Sequence, residues 1–361
     1  MKTIIKKLDR TKLEQDESKA IIAQAGRILR EGGLVAFPTE TVYGLGADGL
    51  NEEAAGKIYA AKGRPSDNPL IIHIASMEAL GRIAVEIPEA AVTVAQKYWP
   101  GPLTMIFQKT DEVPYGTTGG LETVAVRMPC DKTAQAVILA GGGYIAAPSA
   151  NTSGRPSPTK AEHVKEDLEG RIDMIVDGGA AGIGVESTIL DMTVTPPMIL
   201  RPGAITKEML RELIGDVSVD QTLITSDSSK PPKAPGMKYR HYAPKAELTI
   251  VEGGLLDVIS AINQMTGEKS GAGYRVGIIG TDETIDQYSG GIIKSIGTRQ
   301  DEDTIASHLY EILREFDSEE VDYIFSESFP AGGIGSAVMN RLLKAAGHHV
   351  IEARPHVAEV K

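Results

Sequence analysis

Cations and hydroxyls gather in a few short, separated stretches of this chain, and together they could hold a triphosphate and a carboxylate. In Lys62-Gly-Arg-Pro-Ser-Asp-Asn-Pro-Leu70, Lys62 and Arg64 stand two residues apart and are followed by Ser66 and Asn68; His73 comes shortly after. A point charge, a planar guanidinium and neutral hydrogen bonders in one loop suit phosphate oxygens. In Glu122-Thr-Val-Ala-Val-Arg-Met-Pro129, Arg127 stands near a strand end just before a proline turn, where its fork can hold a carboxylate. A surface arginine on an edge strand is the plainer alternative. The run Ala146-Ala-Pro-Ser-Ala-Asn-Thr-Ser-Gly-Arg-Pro-Ser-Pro158 crowds Ser149, Asn151, Thr152, Ser153, Arg155 and Ser157 into a proline-stiffened loop. Such a loop offers donors without mobile charge. Ser187 in Gly184-Val-Glu-Ser-Thr-Ile-Leu190 and Arg201 in Ile199-Leu-Arg-Pro-Gly203 flank an expected hairpin.

Two further stretches stand out. Phe37-Pro-Thr-Glu-Thr-Val-Tyr-Gly-Leu-Gly46 places hydroxyls and small residues after a strand. Gly44, Gly46 and Gly49 happen to satisfy G-x-G-x-x-G, but the acidic residue that a dinucleotide site needs at the end of a second strand is missing. From Ser228 to Ala246 there are five Lys/Arg and no Asp or Glu, with Tyr239, His241 and Tyr242 interleaved. In a chain of net charge −12 that local excess reads as a lid over a nucleotide rather than as a passive linker. There is no G-x-x-x-x-G-K-[ST] loop, no H-E-x-x-H and no G-x-S-x-G elbow. The single cysteine, Cys130, has no base tied to it in sequence and reads as incidental. His348-His349 lacks the spacing for a shared metal.

The elements that must carry these stretches alternate. Helical spacing covers Ala20 to Glu31, Asn51 to Ala61 with Asn51 as N-cap, and most of Met77 to Tyr98. Strands are expected at Leu34–Phe37, Leu70–Ile74, Leu103–Gln108, Thr123–Arg127, Tyr144–Ala147, Ile172–Asp177 and Ser187–Met192. After a proline-rich segment the alternation resumes in a compact α/β unit with a largely parallel sheet. The expected organisation is residues 1–215 as one α/β domain, 216–245 as linker and lid, and 246–361 as a smaller Rossmann-like domain.

At 361 residues, two domains are the natural reading. The net charge of −12 argues against a general nucleic-acid coating protein but leaves room for a local basic pocket. One cysteine fits a reducing cytosol, and neither a signal peptide nor a membrane span is evident. A cytoplasmic protein without stable membrane association is expected.

In this order the stretches resemble the threonylcarbamoyl-AMP synthase family, in its two-domain form with a YrdC-like N-terminal domain. The resemblance rests on Pro38-Thr-Glu-Thr-Val-Tyr-Gly-Leu45, Lys62-Gly-Arg64, Ser66-Asp-Asn68, Val126-Arg-Met-Pro129, Pro148-Ser-Ala-Asn151, Glu186-Ser-Thr188 and Leu200-Arg-Pro-Gly203, with Pro235-Gly-Met-Lys-Tyr-Arg-His-Tyr-Ala-Pro244 marking the longer form. It implies a YrdC-like twisted mixed sheet with helices, plus the Rossmann-like C-terminal domain. It also implies a nucleotidyltransferase that converts L-threonine, bicarbonate and ATP, with Mg²⁺, into threonylcarbamoyl-AMP and pyrophosphate. A downstream transferase complex then passes the group to a tRNA adenosine beside the anticodon. By motif, Thr41, His73, Arg127, Ala147 and Ser187 line the threonine end. Arg64, Ser66, Asn68, Thr123, Ser149, Asn151, Ser157, Arg201 and Tyr242 hold the nucleotide, and Lys62 and Arg64 are the catalytic cations. The general base, the metal ligands and direct binding of tRNA stay open. An RNA-binding module with a basic concave face is the competing reading, and a nucleotide-dependent oxidoreductase a distant third.

Overall fold

The computed structural model describes residues 2–220, 241–330 and 332–354. Most of the expected linker and lid, residues 221–240, therefore lies outside the described residues. The described chain divides into two compact units, one holding residues 2–153 and 157–220, the other residues 154–156 and those from 241 on.

The first unit is built on a mixed sheet of twelve strands. In chain order these are β1 (Ile4–Lys7), β2 (Val35–Phe37), β3 (Gly44–Asp48), β4 (Ile71–His73), β5 (Ala84–Val85) and β6 (Leu103–Lys109). They continue with β7 (Thr123–Arg127), β8 (Ile145–Ala146), β9 (Met174–Asp177), β10 (Thr188–Asp191), β11 (Met198–Arg201) and β12 (Ser218–Val219). The spatial order is β1-β9-β2-β3-β8-β4-β7-β6-β10-β11-β12, with β5 beside β6.

Alternation along these strands sorts their side chains onto two faces. On one face Ile72, Leu103, Met105, Phe107, Val124, Val126 and Leu190 pack with Ala91, Val94 and Ala95 of helix Glu89–Tyr98 and with Leu210 of helix Lys207–Ile214. That face continues through Leu45, Ala47 and Ala146 under helices Glu52–Lys62 and Ala161–Leu168. On the opposite face, Val35, Phe37, Ile145, Met174 and Val176 meet Ala25 and Leu29 of helix Asp16–Arg30 and Val137 and Ile138 of helix Lys132–Ala140. Beyond β8 this second face carries only a small apolar cluster, which includes Ile71, Ala125, Ile106 and Ile189. The polar residues described below stand beside it.

Local chemistry sets several boundaries. Asn51 caps helix Glu52–Lys62 by accepting from the Glu53 and Ala54 amides, and Gly63, at φ 62°, ends it in the left-handed conformation. The mostly helical stretch expected in Met77–Tyr98 consists of helices Leu80–Ile83 and Glu89–Tyr98 with β5 between them. Pro88 supplies no amide donor and serves as the extended N-cap of the second helix. The residues Gly44 and Gly46 lie inside β3, paired to β2 and β8, so they do not form the strand-to-helix turn of a dinucleotide site.

In the second unit β13 (Glu247–Glu252), β14 (Val276–Gly280), β15 (Ile292–Ser295), β16 (Tyr323–Glu327) and β17 (Val350–Glu352) form an all-parallel sheet in the order β15-β14-β16-β13-β17. Helices Leu255–Gly271, Glu302–Ser318 and Gly335–Ala345 make three of the crossovers between these parallel strands, and β14 leads to β15 through residues 281–291 with the 3-10 turn Ile285–Gln287. His348 and His349 are exposed.

Two glycines give opposite expectations for stability. A Cβ on Gly203 would lie 2.4 Å from the Thr188 amide nitrogen and 2.9 Å from the Glu186 carbonyl oxygen, backbone atoms that no rotamer change can move. Gly203→Ala is expected to cost about 1–3 kcal/mol. Gly56, in mid-helix with nothing within 4 Å, is the control: Gly56→Ala should stabilise by about 0.5–1 kcal/mol. Denaturant melts of the two variants check both signs.

Candidate active site

The second face of the first sheet carries an in-register polar row. His73 on β4 pairs with Arg127 on β7, Arg127 with Thr104 on β6, Thr104 with Ile189 on β10, and Ile189 with Arg201 on β11. Directly paired residues point to the same side. Arg201 joins this row because the β10/β11 register shifts: Ile189 opposes Arg201 while Leu190 opposes Ile199, leaving Leu200 as an extra residue. Without the bulge, Arg201 would face the side on which Leu190 and Ile199 pack into the core. Arg127 is not the edge-strand surface residue of the plainer reading, since β7 is interior and the residue is only 4% exposed.

At the Arg127 end, the guanidinium organises the loop after β2. Its Nη1 donates to Thr41 Oγ1 at 2.9 Å and its Nη2 to Glu40 Oε1 at 2.6 Å. The Thr39 and Thr41 hydroxyls lie 3.0 Å apart, and Thr39 Oγ1 also donates to the Val42 carbonyl. Burial alone would raise the Glu40 carboxyl, but the charge of Arg127 and its hydrogen bond outweigh that and hold it below the usual carboxylate range. His73 Nδ1 is 3.1 Å from the Ile71 carbonyl oxygen, which can only accept, so Nδ1 carries a proton. Burial first, then the neighbouring Arg127 charge, push the imidazole down to about 3. It is therefore neutral at physiological pH. Cys130 is exposed at its surface, yet desolvation and then the Glu40 carboxylate push its thiol up to about 11, so it is not a thiolate nucleophile.

At the Arg201 end, Arg201 Nε donates to the Ser187 carbonyl at 3.0 Å and Nη2 to Ser187 Oγ at 3.1 Å. Ser187 Oγ also lies 2.8 Å from Thr104 Oγ1. One residue back, Glu186 Oε1 accepts from Ser157 Oγ at 2.6 Å, which ties the hydroxyl-rich loop to β10.

That loop is stitched to β3 and to the end of helix Glu52–Lys62. The Leu45 amide donates to the Pro148 carbonyl, the Ala150 amide to Tyr43 and the Tyr43 amide to Pro158. Gly44 and Ser149 form an isolated bridge, and the Ala147 amide donates to the Ile71 carbonyl at 2.8 Å. Lys62, 1% exposed, donates its ammonium to the carbonyls of Ser149 and Asn151. Ser149 Oγ donates to Asn151 Oδ1 at 2.6 Å. Lys62 is thus a strut of the loop as well as a cation beside it.

The remaining expected residues have separate placements. Arg64 folds back on its own turn, donating to the carbonyls of Asn68 and Pro69 at 3.2 and 3.1 Å. Asn68 is buried, and its Oδ1 has no partner among the described residues. Ser66 is exposed on that turn. Thr123 opens β7 on the same face as Arg127 but four residues away, about 13 Å along the strand. Tyr242 is buried in the second unit, its ring stacked on Tyr310 at 5.2 Å. Glu40, Thr104 and Glu186 were not picked out by sequence as site residues. Among the described residues no group of three or more His, Cys, Asp or Glu could hold a metal ion.

Comparison with known proteins shows the family. A family model described as telomere recombination matches residues 27–203, and one described as the C-terminal domain of threonylcarbamoyl-AMP synthase matches residues 205–347. The threonylcarbamoyl-AMP synthase of Bacillus subtilis is 53% identical over 91% of this chain and 94% of its own length. That of Pyrococcus abyssi is 48% identical over 91% and 94%. The crystal structure of P. abyssi Sua5 complexed with L-threonine superposes with a TM-score of 0.91 at 45% identity, covering 98% of this chain and all of that one. This chain belongs to the threonylcarbamoyl-AMP synthase family, in its two-domain form, and is an enzyme of the nucleotidyl-transfer type.

Proposed function

We propose that the enzyme forms L-threonylcarbamoyl-AMP and pyrophosphate from L-threonine, bicarbonate and ATP, and so supplies the threonylcarbamoyladenosine modification of tRNA next to the anticodon. The polar row from His73 through Arg127 and Thr104 to Arg201 is the observation that carries this reading. Two cations with attendant hydroxyls stand at either end of one sheet face, with a small apolar patch beside them. The relative whose crystal structure holds L-threonine shares the fold over nearly its whole length.

In this reading Arg127 receives the threonine carboxylate, with Thr41, Ser187, Ala147 and His73 lining the amino acid. The hydroxyl-rich loop (Ser149, Asn151, Ser157), the turn of Arg64, Ser66 and Asn68, and Thr123 and Arg201 hold ATP. The threonine amine forms a C–N bond to the bicarbonate carbon with loss of water. A carbamate oxygen then attacks the α-phosphorus, the bond to the bridging oxygen breaks, and pyrophosphate leaves. Such a step asks for alignment and charge neutralisation more than for an enzyme nucleophile, and Lys62, Arg64 and Arg201 are placed to supply charge.

Mg²⁺ would enter on the triphosphate, since Mg²⁺ takes much of its coordination from substrate phosphates and water. The donor set fits that role better than a resident metal site, with Glu186 and Asn151 the nearest oxygen donors to Ser157 and Ser149. When bound, the ion offsets charge on the leaving pyrophosphate. We place the enzyme in the cytoplasm, upstream of a tRNA threonylcarbamoyl transferase complex. Among the described residues no helix is long and apolar enough to cross a membrane.

Four outcomes are expected. Pyrophosphate release should require both threonine and bicarbonate, and mass spectrometry should find threonylcarbamoyl-AMP; ATP turnover independent of threonine would defeat the reading. Arg64→Ala should lower turnover by roughly 10²–10³ with little change in Tm. Lys62→Ala should lower both, because its ammonium also holds the Ser149 and Asn151 carbonyls. With His73 neutral throughout and Glu40 ionised, neither titrates near neutrality. The kcat/KM for threonine should therefore rise with pH from 6 to 9 as free amine accumulates. An inflection near the ordinary histidine value of about 6.5, abolished by His73→Asn, would show a histidine base instead.

A further inference from the structure

One buried hydroxyl pair lies between the Arg127 and Arg201 ends of the row. Thr104 is fully buried in β6, in register with Arg127 on one side and Ile189 on the other. Its Oγ1 is 2.8 Å from Ser187 Oγ, which also accepts from Arg201 Nη2. Ser187 is 1% exposed. Each hydroxyl brings a single hydrogen, and a guanidinium cannot accept one. The bond between the two hydroxyls uses one hydrogen of the two. The other has no acceptor among the described residues. A buried donor left unmade costs about 1–3 kcal/mol, so a ligand oxygen would complete this arrangement.

Which hydroxyl holds the spare hydrogen follows from their placement. Thr104 sits inside a strand with neighbours paired on both sides, whereas Ser187 ends the loop that leads into β10. We propose that Thr104 is a positioning residue for the reaction: it donates to Ser187 Oγ, and Ser187 in turn donates its own hydrogen to an anionic oxygen of the substrate. The Arg201 guanidinium polarises the Ser187 hydroxyl from the other side and strengthens it as a donor. The inference rests on the reading in which Ser187 lines the threonine end.

Four enzymes test it: Thr104→Val, Thr104→Ser, Ser187→Ala and the double variant Thr104→Val/Ser187→Ala. Thr104→Val keeps the shape and removes the hydroxyl, and should lower kcat/KM for threonine about five- to tenfold. Thr104→Ser should stay within about twofold of wild type. Because Thr104 acts through Ser187, the double variant should be no worse than Ser187→Ala alone, a non-additivity that two independent packing defects would not produce. Wild-type rates in Thr104→Val, or a double variant whose loss is the product of the single losses, would overturn the proposal. Should Thr104→Val fail to fold, Thr104→Cys, of similar size and a weak donor, carries the same comparison. A wild-type enzyme that releases no pyrophosphate with threonine and bicarbonate sinks the functional reading and this inference with it. Normal wild-type turnover left untouched by Thr104→Val sinks the inference alone.

Discussion

The site depends on the period-two alternation of one mixed sheet. Residues that pair across β4, β7, β6, β10 and β11 must share a face, so one row of paired residues becomes one row of functional groups. The same alternation sends Ile72, Val126, Met105 and Leu190 to the helix-covered side, where their burial holds the strands in register. Each polar residue in the row is therefore held by the apolar residues next to it in sequence. Helices Asp16–Arg30 and Lys132–Ala140 cover the polar face only as far as β8.

Charge is handled by pairing rather than by exposure. Arg127 is buried against Glu40 and Thr41, Arg201 against both polar groups of Ser187, and Lys62 against two carbonyls. Buried cations need such partners, and the partners also fix direction. The one imidazole in the row is kept neutral by burial and by the adjacent guanidinium. The result is a site with fixed guanidinium donors and little capacity to exchange protons. That suits a displacement at phosphorus, in which alignment carries most of the catalysis.

Much of this was legible beforehand. Thr123–Arg127 has the strand bounds the sequence suggested, and the alternating pattern beyond residue 246 describes the parallel sheet closely. The cations and hydroxyls were visible because they cluster locally. What escaped were residues defined by pairing across the sheet. Thr104 reads as an ordinary strand threonine until β6 is set between β7 and β10, and Glu40 reads as a loop acid until Arg127 arrives from 87 positions away. Ser66 differs from these: it stands exposed on the turn, with no pairing in the sheet to place it. Met77–Tyr98, read as mostly helical, is so, and what the spacing did not show is the break at Ala84–Val85 before Pro88 opens the second helix.

The extra residue Leu200 in β11 fixes which way Arg201 points through the bulge itself. Straightening the strand with all of Met198–Arg201 retained would set Arg201 opposite Thr188 on the helix-covered side, whereas removing one residue together with the bulge would leave it opposite Ile189. The connection from Met192 to Pro197 lies outside that pairing, so a change of length there leaves Arg201 opposite Ile189 as long as Asp191 still pairs with Met198.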